Sequence, residues 1–144
     1  MTQITEKIEY WGSNLKLLEG MDRFQYLIEQ ARIAKPMKEE YKIKEFQIHG
    51  CASKLWVVPE LRQDRMFLTV DSDAFITKGT AAIIADIFDG QSLSDILAVS
   101  KEDIKKLGII EILTPQRQNG LSNMITTIQT YAGCLLYTSD AADE

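Results

Sequence analysis

The spacing of apolar residues changes twice along the chain, and this change restricts the fold more than any other feature. Near the N-terminus, apolar residues recur every three or four positions, at Ile4, Ile8, Trp11, Leu15 and Leu18. This is the period of a helix with one buried face. In the middle of the chain the period becomes two, and after residue 73 the helical spacing returns. We therefore expect an α+β fold, with helices on either side of a small sheet in sequence.

The expected sheet has three antiparallel strands packed against several helices. The three segments that predict strands are rich in aliphatic and aromatic residues: 43–49, 54–61 and 65–70. The last two form a hairpin around Gln63 and Asp64. Pro59 cannot donate a hydrogen bond to a ladder, so its strand is expected at an edge or with a bulge.

Short polar side chains mark the expected helix starts. Residues 71–73 can cap a core helix, and the other expected caps are Asp22, Ser92, Ser100 and Thr114. A chain of 144 residues fits a single domain, which we place at residues 1–133. Residues 134–144 have no helical period, and we expect them to be a non-native or disordered tail that includes Cys134.

Charge and composition exclude several classes of function. Sixteen Lys and Arg against 21 Asp and Glu give a net charge of −5, without a basic cluster, so nucleic-acid binding is not expected. No apolar run approaches the roughly 20 residues that span a bilayer. The N-terminus MTQITEKIEYW also lacks the features of a secretory signal, so we expect a soluble cytoplasmic protein.

The chain has two cysteines and one histidine, too few to build a structural zinc site or a common iron–sulfur cluster site alone. We expect no bound metal and no cofactor. Cys51 follows Gly50, which permits a tight turn, and His49 lies two residues away. The thiol can be an exposed nucleophile whose thiolate His49 helps to stabilise, or a small buried apolar group. The local sequence leaves both open.

Three groups of residues resemble the SufE family, in its order and at similar spacing over roughly residues 4 to 131. They are Gly50-Cys51-x-Ser53-x-x-Trp56; Asp71-Ser72-Asp73-Ala74 with Lys78-Gly79; and Leu113-Thr114-Pro115-x-Arg117-x-x-Gly120-Leu121. The resemblance implies a SufE/IscU-like fold.

The resemblance also implies a function in iron–sulfur cluster assembly. Members of the family accept sulfur from a pyridoxal-phosphate-dependent cysteine desulfurase of the SufS kind, which they activate, and pass it to a scaffold of the SufB kind. By this resemblance Cys51 would carry the sulfur as a persulfide, and the protein would be an accessory rather than an enzyme. The residues implied to bind the partner or support the loop are His49, Gly50, Ser53, Asp71, Asp73 and Arg117. Monomer and homodimer are both open.

Some interpretations remain open at this point. Asp71 and Asp73 can cap a helix or face the Cys51 loop, and Arg117 can contact the desulfurase or be a solvated residue at a helix start. The family commonly has Gln where this chain has Ala52 and Asn where it has Phe46, so partner affinity can differ. Two other functions are a Cys51-dependent enzyme with His49 as its base, and a docking or regulatory module that carries no sulfur.

Overall fold

The computed structural model describes residues 2–51 and 53–142, the last six of these as backbone alone. Within these ranges two helices come first, then the predicted hairpin and then further helices, with a short third strand among them. The helices are α1 (Gln3–Lys16), α2 (Met21–Ile33), α3 (Phe75–Phe88), α4 (Leu93–Leu97), α5 (Lys101–Lys105) and α6 (Pro115–Ala142). The strands are β1 (Leu55–Arg62), β2 (Arg65–Ser72) and β3 (Gln91–Ser92).

The first two helices follow the predicted apolar stripes, but the start of the second differs from the prediction. α1 buries Ile4, Ile8 and Leu15 as expected. The residue before α2 is Gly20, with φ of +56°, and no side chain caps the helix. A left-handed residue reverses the chain between the two helices, and glycine adopts that conformation without steric cost. Asp22, the predicted cap, therefore lies inside the first turn, where its charge still suits the helix dipole.

The hairpin of β1 and β2 forms as predicted, with pairs from Leu55 opposite Ser72 to Arg62 opposite Arg65. Its two turn residues, at positions 63 and 64, have φ of +51° and +65°. Two positive φ angles in a two-residue turn match the right-handed twist of the flanking strands.

Pro59 lies in the edge strand, as the sequence predicted, because the sheet order is β1-β2-β3. Pro59 is paired with Leu68 of β2. The Leu68 N–H points away from β1 and donates to Asp89 Oδ1 at 2.8 Å. In an antiparallel ladder both residues of such a pair point their nitrogens outward. The proline nitrogen therefore faces the open edge of the sheet.

The third strand is not the predicted one. Residues 44–46 form a short 3₁₀ helix, and Gln47 contributes a single bridge to Trp56. The segment closes local hydrogen bonds, and so one bridging residue is all that it offers to the sheet. The third strand is instead β3. Gly90, with φ of +71°, turns the chain back from α3, and β3 then pairs with the start of β2. The prediction of three antiparallel strands is confirmed, while the assignment of 43–49 is wrong.

Helix α3 lies at the centre of the core, where it packs against α1, α2, α6 and β2. Ile83, Ile84, Ile87 and Phe88 are completely buried. Burial of such a side chain stabilises the fold by about 1.5–3 kcal/mol relative to exposure. Gly79 allows the close approach of α2, since a Cβ at this position would overlap the Leu27 carbonyl oxygen.

Three of the five predicted caps are present, and two are absent, those of α2 and α3. The Ser92 and Ser100 side chains accept backbone hydrogen bonds at the starts of α4 and α5, and α5 has a complete capping box. Thr114 Oγ1 accepts from the third residue of α6 in the same way. The cap predicted for α3 from residues 71–73 is wrong, because its N-cap is Ala74, without a side-chain hydrogen bond.

Helix α6 continues to Ala142 and so includes most of the segment 134–144, for which we expected a non-native or disordered tail. Leu135 and Leu136 pack against the core. They follow Ile128 and Ala132 at helical spacing, and this continues the buried stripe of α6. The domain boundary at 133 and the non-native origin of the tail stay predictions. Although α6 is long, no helix in the described ranges is apolar enough to cross a bilayer.

Candidate functional site

Cys51 lies in the loop that leads into β1, directly after a turn at Gly50. The φ of Gly50 is +81°, as expected for a tight turn that favours glycine. A Cβ on Gly50 would lie 2.7 Å from Asn119 Nδ2, so any side chain here would displace this amide. The loop is thus held close against α6.

Two asparagines of α6 hold this loop. Asn123 Nδ2 donates to the carbonyl oxygen of His49 at 2.7 Å, and Asn119 Nδ2 donates to that of Gly50 at 3.1 Å. Neither residue was predicted from the sequence. Their signal was the spacing of four, which places two amides on one face of a helix next to Gly120.

The Cys51 side chain is half-buried in a small pocket beneath this loop. Its free volume is about 10 Å³, comparable to the space of one water molecule. Gly120 forms one wall, and a Cβ there would overlap Cys51 Sγ and lie 3.2 Å from Cys51 Cβ. Most of the lining is apolar and comes from β1, α3 and α6, including Leu55, Ala81, Leu121 and Met124.

Burial raises the pKa of the Cys51 thiol, and the negative charge of Asp73 raises it further. Both effects disfavour the thiolate, so the resting cysteine is a neutral thiol at neutral pH. Asp73 is exposed, and its Oδ1 accepts from the Lys54 N–H at 2.9 Å. Of the two predicted roles, Asp73 therefore acts on the Cys51 loop and does not cap α3.

Asp71 is a buried ionic anchor rather than a helix cap. Its carboxylate is 3.4 Å from Lys42 Nζ and 3.3 Å from Lys78 Nζ, and it accepts from the N–H groups of Met37 and Ser72. Burial alone would raise the pKa of Asp71, but these hydrogen bonds and the Lys78 charge outweigh it and lower the pKa. The Lys78 side chain is drawn inward by this pair and is only 20% exposed. The anchor joins the segment before β1 to β2 and α3.

The remaining predicted residues differ in their relation to Cys51. The His49 side chain is exposed, and in the part of the chain that the structure describes no hydrogen bond joins it to Cys51. Ser53 is half-buried. The Arg117 N–H donates to Thr114 Oγ1 in the first turn of α6, and the half-buried Arg117 side chain lines the Cys51 pocket. Its contact with the desulfurase stays a prediction.

The two departures from the family pattern lie in different settings. Ala52 is outside the described residues. Phe46 lies in the 3₁₀ helix, where its ring packs near that of Tyr41 with centroids 6.4 Å apart. Their effect on partner affinity stays a prediction.

The chemistry available here is that of a single thiol. Across residues 2–51 and 53–142, no three or more His, Cys, Asp or Glu side chains gather as a metal site would require. The pocket is too small for a substrate molecule. It can hold one additional atom next to the sulfur.

Comparisons with known proteins agree with one another. The family model of SufE, described as the Fe-S metabolism associated domain, matches residues 11–132. An uncharacterized SufE-like protein of Rhizobium meliloti is 37% identical over 119 residues, covering 79% of this chain and 85% of that protein. SufE-like protein 1, chloroplastic/mitochondrial, of Arabidopsis thaliana is 30% identical over 115 residues, covering 79% of this chain and 31% of that protein. The fold is similar to the solution structure of a hypothetical protein from Thermus thermophilus, with a TM-score of 0.73, 21% identity and coverage of 94% of this chain and 96% of that one.

Proposed function

The chain belongs to the SufE family of Fe-S metabolism associated domains, and from this premise we propose that it is a sulfur carrier. Cys51 accepts one sulfur atom from the persulfide of a pyridoxal-phosphate-dependent cysteine desulfurase and passes it to an iron–sulfur cluster scaffold. The observation that carries the proposal is the position of the Cys51 thiol. It lies after a tight turn, in an apolar pocket with room for one more atom.

The transfer is a thiol exchange in which atoms and charge balance. The Cys51 thiolate attacks the outer sulfur of the donor persulfide, and a new S–S bond forms at Cys51 Sγ. The donor's S–S bond breaks, and its electron pair stays on the donor cysteine as a thiolate. One sulfur atom moves without any external oxidant or reductant. Delivery to the scaffold repeats the exchange with a scaffold thiolate as the attacking group.

The raised pKa of Cys51 fits such a carrier between its two partners. Because burial is the main cause of the shift, a partner that draws Cys51 out of its pocket lowers the pKa toward the ordinary value. The nucleophile then forms only where a donor is bound. In the pocket, the apolar walls protect a loaded sulfur from oxidants in solution.

The geometry gives less support to a Cys51-dependent enzyme. Such an enzyme needs a base within hydrogen-bond reach of the thiol, while His49 is exposed and no hydrogen bond to Cys51 is found in the described residues. The pocket also lacks space for a substrate, since its free volume is about 10 Å³. A docking module without sulfur transfer is the alternative that a direct measurement must separate.

The other family positions have separate proposed roles. Asp73 and Arg117 lie near the thiol, and we assign them to recognition of the desulfurase, together with the exposed His49 and the half-buried Ser53 of the loop. Gly50 shapes the turn, and Asp71 anchors the segment before β1 to β2 and α3. The cytoplasmic location, the activation of the desulfurase and a homodimer stay predictions.

The test is the mass of the intact protein after incubation with an active cysteine desulfurase of the matching type and free cysteine. We expect a reducible gain of one sulfur atom that is lost in Cys51→Ser and kept in Cys134→Ser, the matched control for the other cysteine. If wild type gains no sulfur, the carrier proposal is wrong. If Cys51→Ser still stimulates the desulfurase fully, the protein is a docking module.

A further inference from the structure

Thr77 has a buried hydroxyl without a hydrogen-bond partner. It is the third residue of α3 and is 8% exposed. Among the described side chains, its Oγ1 is the one buried nitrogen or oxygen that lacks a partner. Buried polar atoms are almost always hydrogen-bonded, so this atom calls for an explanation. Thr80 is the instructive comparison, since its Oγ1 donates to the Ile76 carbonyl oxygen at 2.8 Å.

Thr77 and Cys51 line the same pocket, and no hydrogen bond joins the Thr77 hydroxyl to the Cys51 thiol. The free volume between the pocket walls is about 10 Å³. A persulfide adds one sulfur atom at roughly 2.05 Å from Cys51 Sγ. That single atom extends Cys51 into the space that Thr77 borders.

Water is a poor occupant of this space. A buried water molecule needs two to four polar partners. The Thr80 hydroxyl already donates to a carbonyl group, and apart from Thr77 the remaining polar side chain in the lining is Arg117. A sulfur atom is polarizable and suits the apolar walls. It needs one donor when it carries negative charge.

We propose that Thr77 is a positioning residue for the loaded carrier: its Oγ1–H donates a hydrogen bond to the outer sulfur of the Cys51 persulfide. The inference rests on the proposed function and adds to it the group that holds the transferred atom. A hydroxyl is a suitable donor, and a hydrogen bond to an anionic sulfur is stronger than one to a neutral thiol. The unloaded protein then contains an unpaired hydroxyl that loading satisfies.

The proposed hydrogen bond predicts effects on two measurable quantities, the melting temperature of the unloaded protein and the reactivity of the persulfide. Replacing Thr77 with valine keeps the shape of the side chain and removes the hydroxyl. The unloaded protein loses an unsatisfied polar group, so its melting temperature stays the same or rises. The persulfide loses its donor, so its outer sulfur is removed faster. A merely structural role for Thr77 predicts the opposite effect on melting and none on the persulfide.

The experiment loads Cys51 chemically, so that it does not depend on recognition by a desulfurase. Full-length protein with Cys134→Ser as the common background is treated with inorganic polysulfide and desalted. Cyanide then attacks the outer sulfur, giving thiocyanate and the Cys51 thiolate. The rate of thiocyanate release is compared among the parent, Thr77→Val, Thr77→Ser and Thr80→Val.

We expect Thr77→Val to release thiocyanate about fivefold faster than the parent, the effect of losing one ordinary hydrogen bond. Thr77→Ser keeps the hydroxyl and should match the parent. Thr80→Val removes a hydroxyl that is already bonded and should also match. Equal rates for Thr77→Val and its parent would overturn the Thr77 inference alone, as would equal acceleration in both valine variants. Failure of the parent to load at Cys51 would instead count against the carrier proposal as well.

Discussion

The contact between α6 and the thiol gives the sharpest prediction. Gly120→Ala adds one methyl group at the point where a Cβ would overlap Cys51 Sγ. The backbone of Cys51 is also close, with its Cα 3.3 Å from that Cβ. The side chain of Cys51 cannot keep its place, and the loop must shift or the helix must move.

The magnitude follows from two opposing terms. Alanine in place of glycine within a helix stabilises it by about 1 kcal/mol. Overpacking of a filled site costs about 1–3 kcal/mol. Gly133→Ala, in the same helix, is a matched control, because its Cβ would meet Leu97 Cδ2 at an ordinary 3.7 Å. We therefore expect Gly120→Ala to be about 1–3 kcal/mol less stable to unfolding than Gly133→Ala.

If Cys51 is expelled from the pocket, the same free energy increases the population of exposed thiol and so its rate of reaction. Each 1.4 kcal/mol is a factor of about ten in the exposed population. Gly120→Ala should thus react with iodoacetamide at Cys51 about fivefold to a hundredfold faster than wild type, while Gly133→Ala matches wild type.

Urea unfolding measures the stabilities, and peptide mass spectrometry separates alkylation of Cys51 from that of exposed Cys134. The reasoning about the pocket is refuted if Gly120→Ala is stabilised like Gly133→Ala and its Cys51 reacts at the wild-type rate.

Two further predictions concern charge. Asp73→Asn removes the charge that helps to raise the pKa of Cys51 but keeps an acceptor for the Lys54 N–H. Alkylation of Cys51 at neutral pH should therefore be faster, and the pH profile of its rate should move to lower pH. An unchanged profile would assign the raised pKa to burial alone. Asp71→Asn leaves two lysines beside a lost carboxylate and should destabilise the fold by about 3 kcal/mol in urea unfolding at neutral pH. The pKa of Asp71 is lowered in the folded protein, so the stability that its carboxylate contributes is complete above the ordinary carboxyl pKa. This stability is lost as the pH falls through the lower folded pKa, and the unfolding free energies of wild type and variant should therefore converge in acid. A difference that stays constant with pH would contradict the assignment.

Local patterns predicted most of the fold. The apolar stripe of α1 and the two-residue hairpin turn depend on residues close in sequence. The capping box of Ser100 with Asp103 is likewise local, because its partners are three residues apart. In each case the interacting groups lie within one turn or one pair of strands. Such features need no knowledge of the distant chain.

The predictions that were wrong concern residues whose structure is set by contacts with other segments of the chain. Asp71 looks like a helix cap in sequence, and its lysine partners lie on different segments from it, at positions 42 and 78. The segment 43–49 alternates like a strand, yet Gly90 brings β3 to the sheet on the opposite side of the hairpin.

In the candidate site, too, the features set by neighbouring residues were predictable and those set by distant residues were not. Cys51 and its turn were predictable from the adjacent Gly50 and from the family resemblance. The supports of the loop were not, because Asn119 and Asn123 are far away in sequence, with separations of 69 and 74 residues from their acceptors. Thr77 was missed because only the folded chain leaves its hydroxyl without a partner.

The outward nitrogen of Pro59 affects how the protein behaves at high concentration. An exposed edge strand is a template for extended segments of other molecules, which can add to it and start aggregates. At the N-terminal end of β1 the Ile48 N–H already donates to the Leu55 carbonyl oxygen at 2.8 Å. In the middle of the strand, proline offers no donor at all. A foreign strand therefore meets an occupied end followed by a position without a donor, and the hairpin next to the Cys51 loop resists edge-to-edge association.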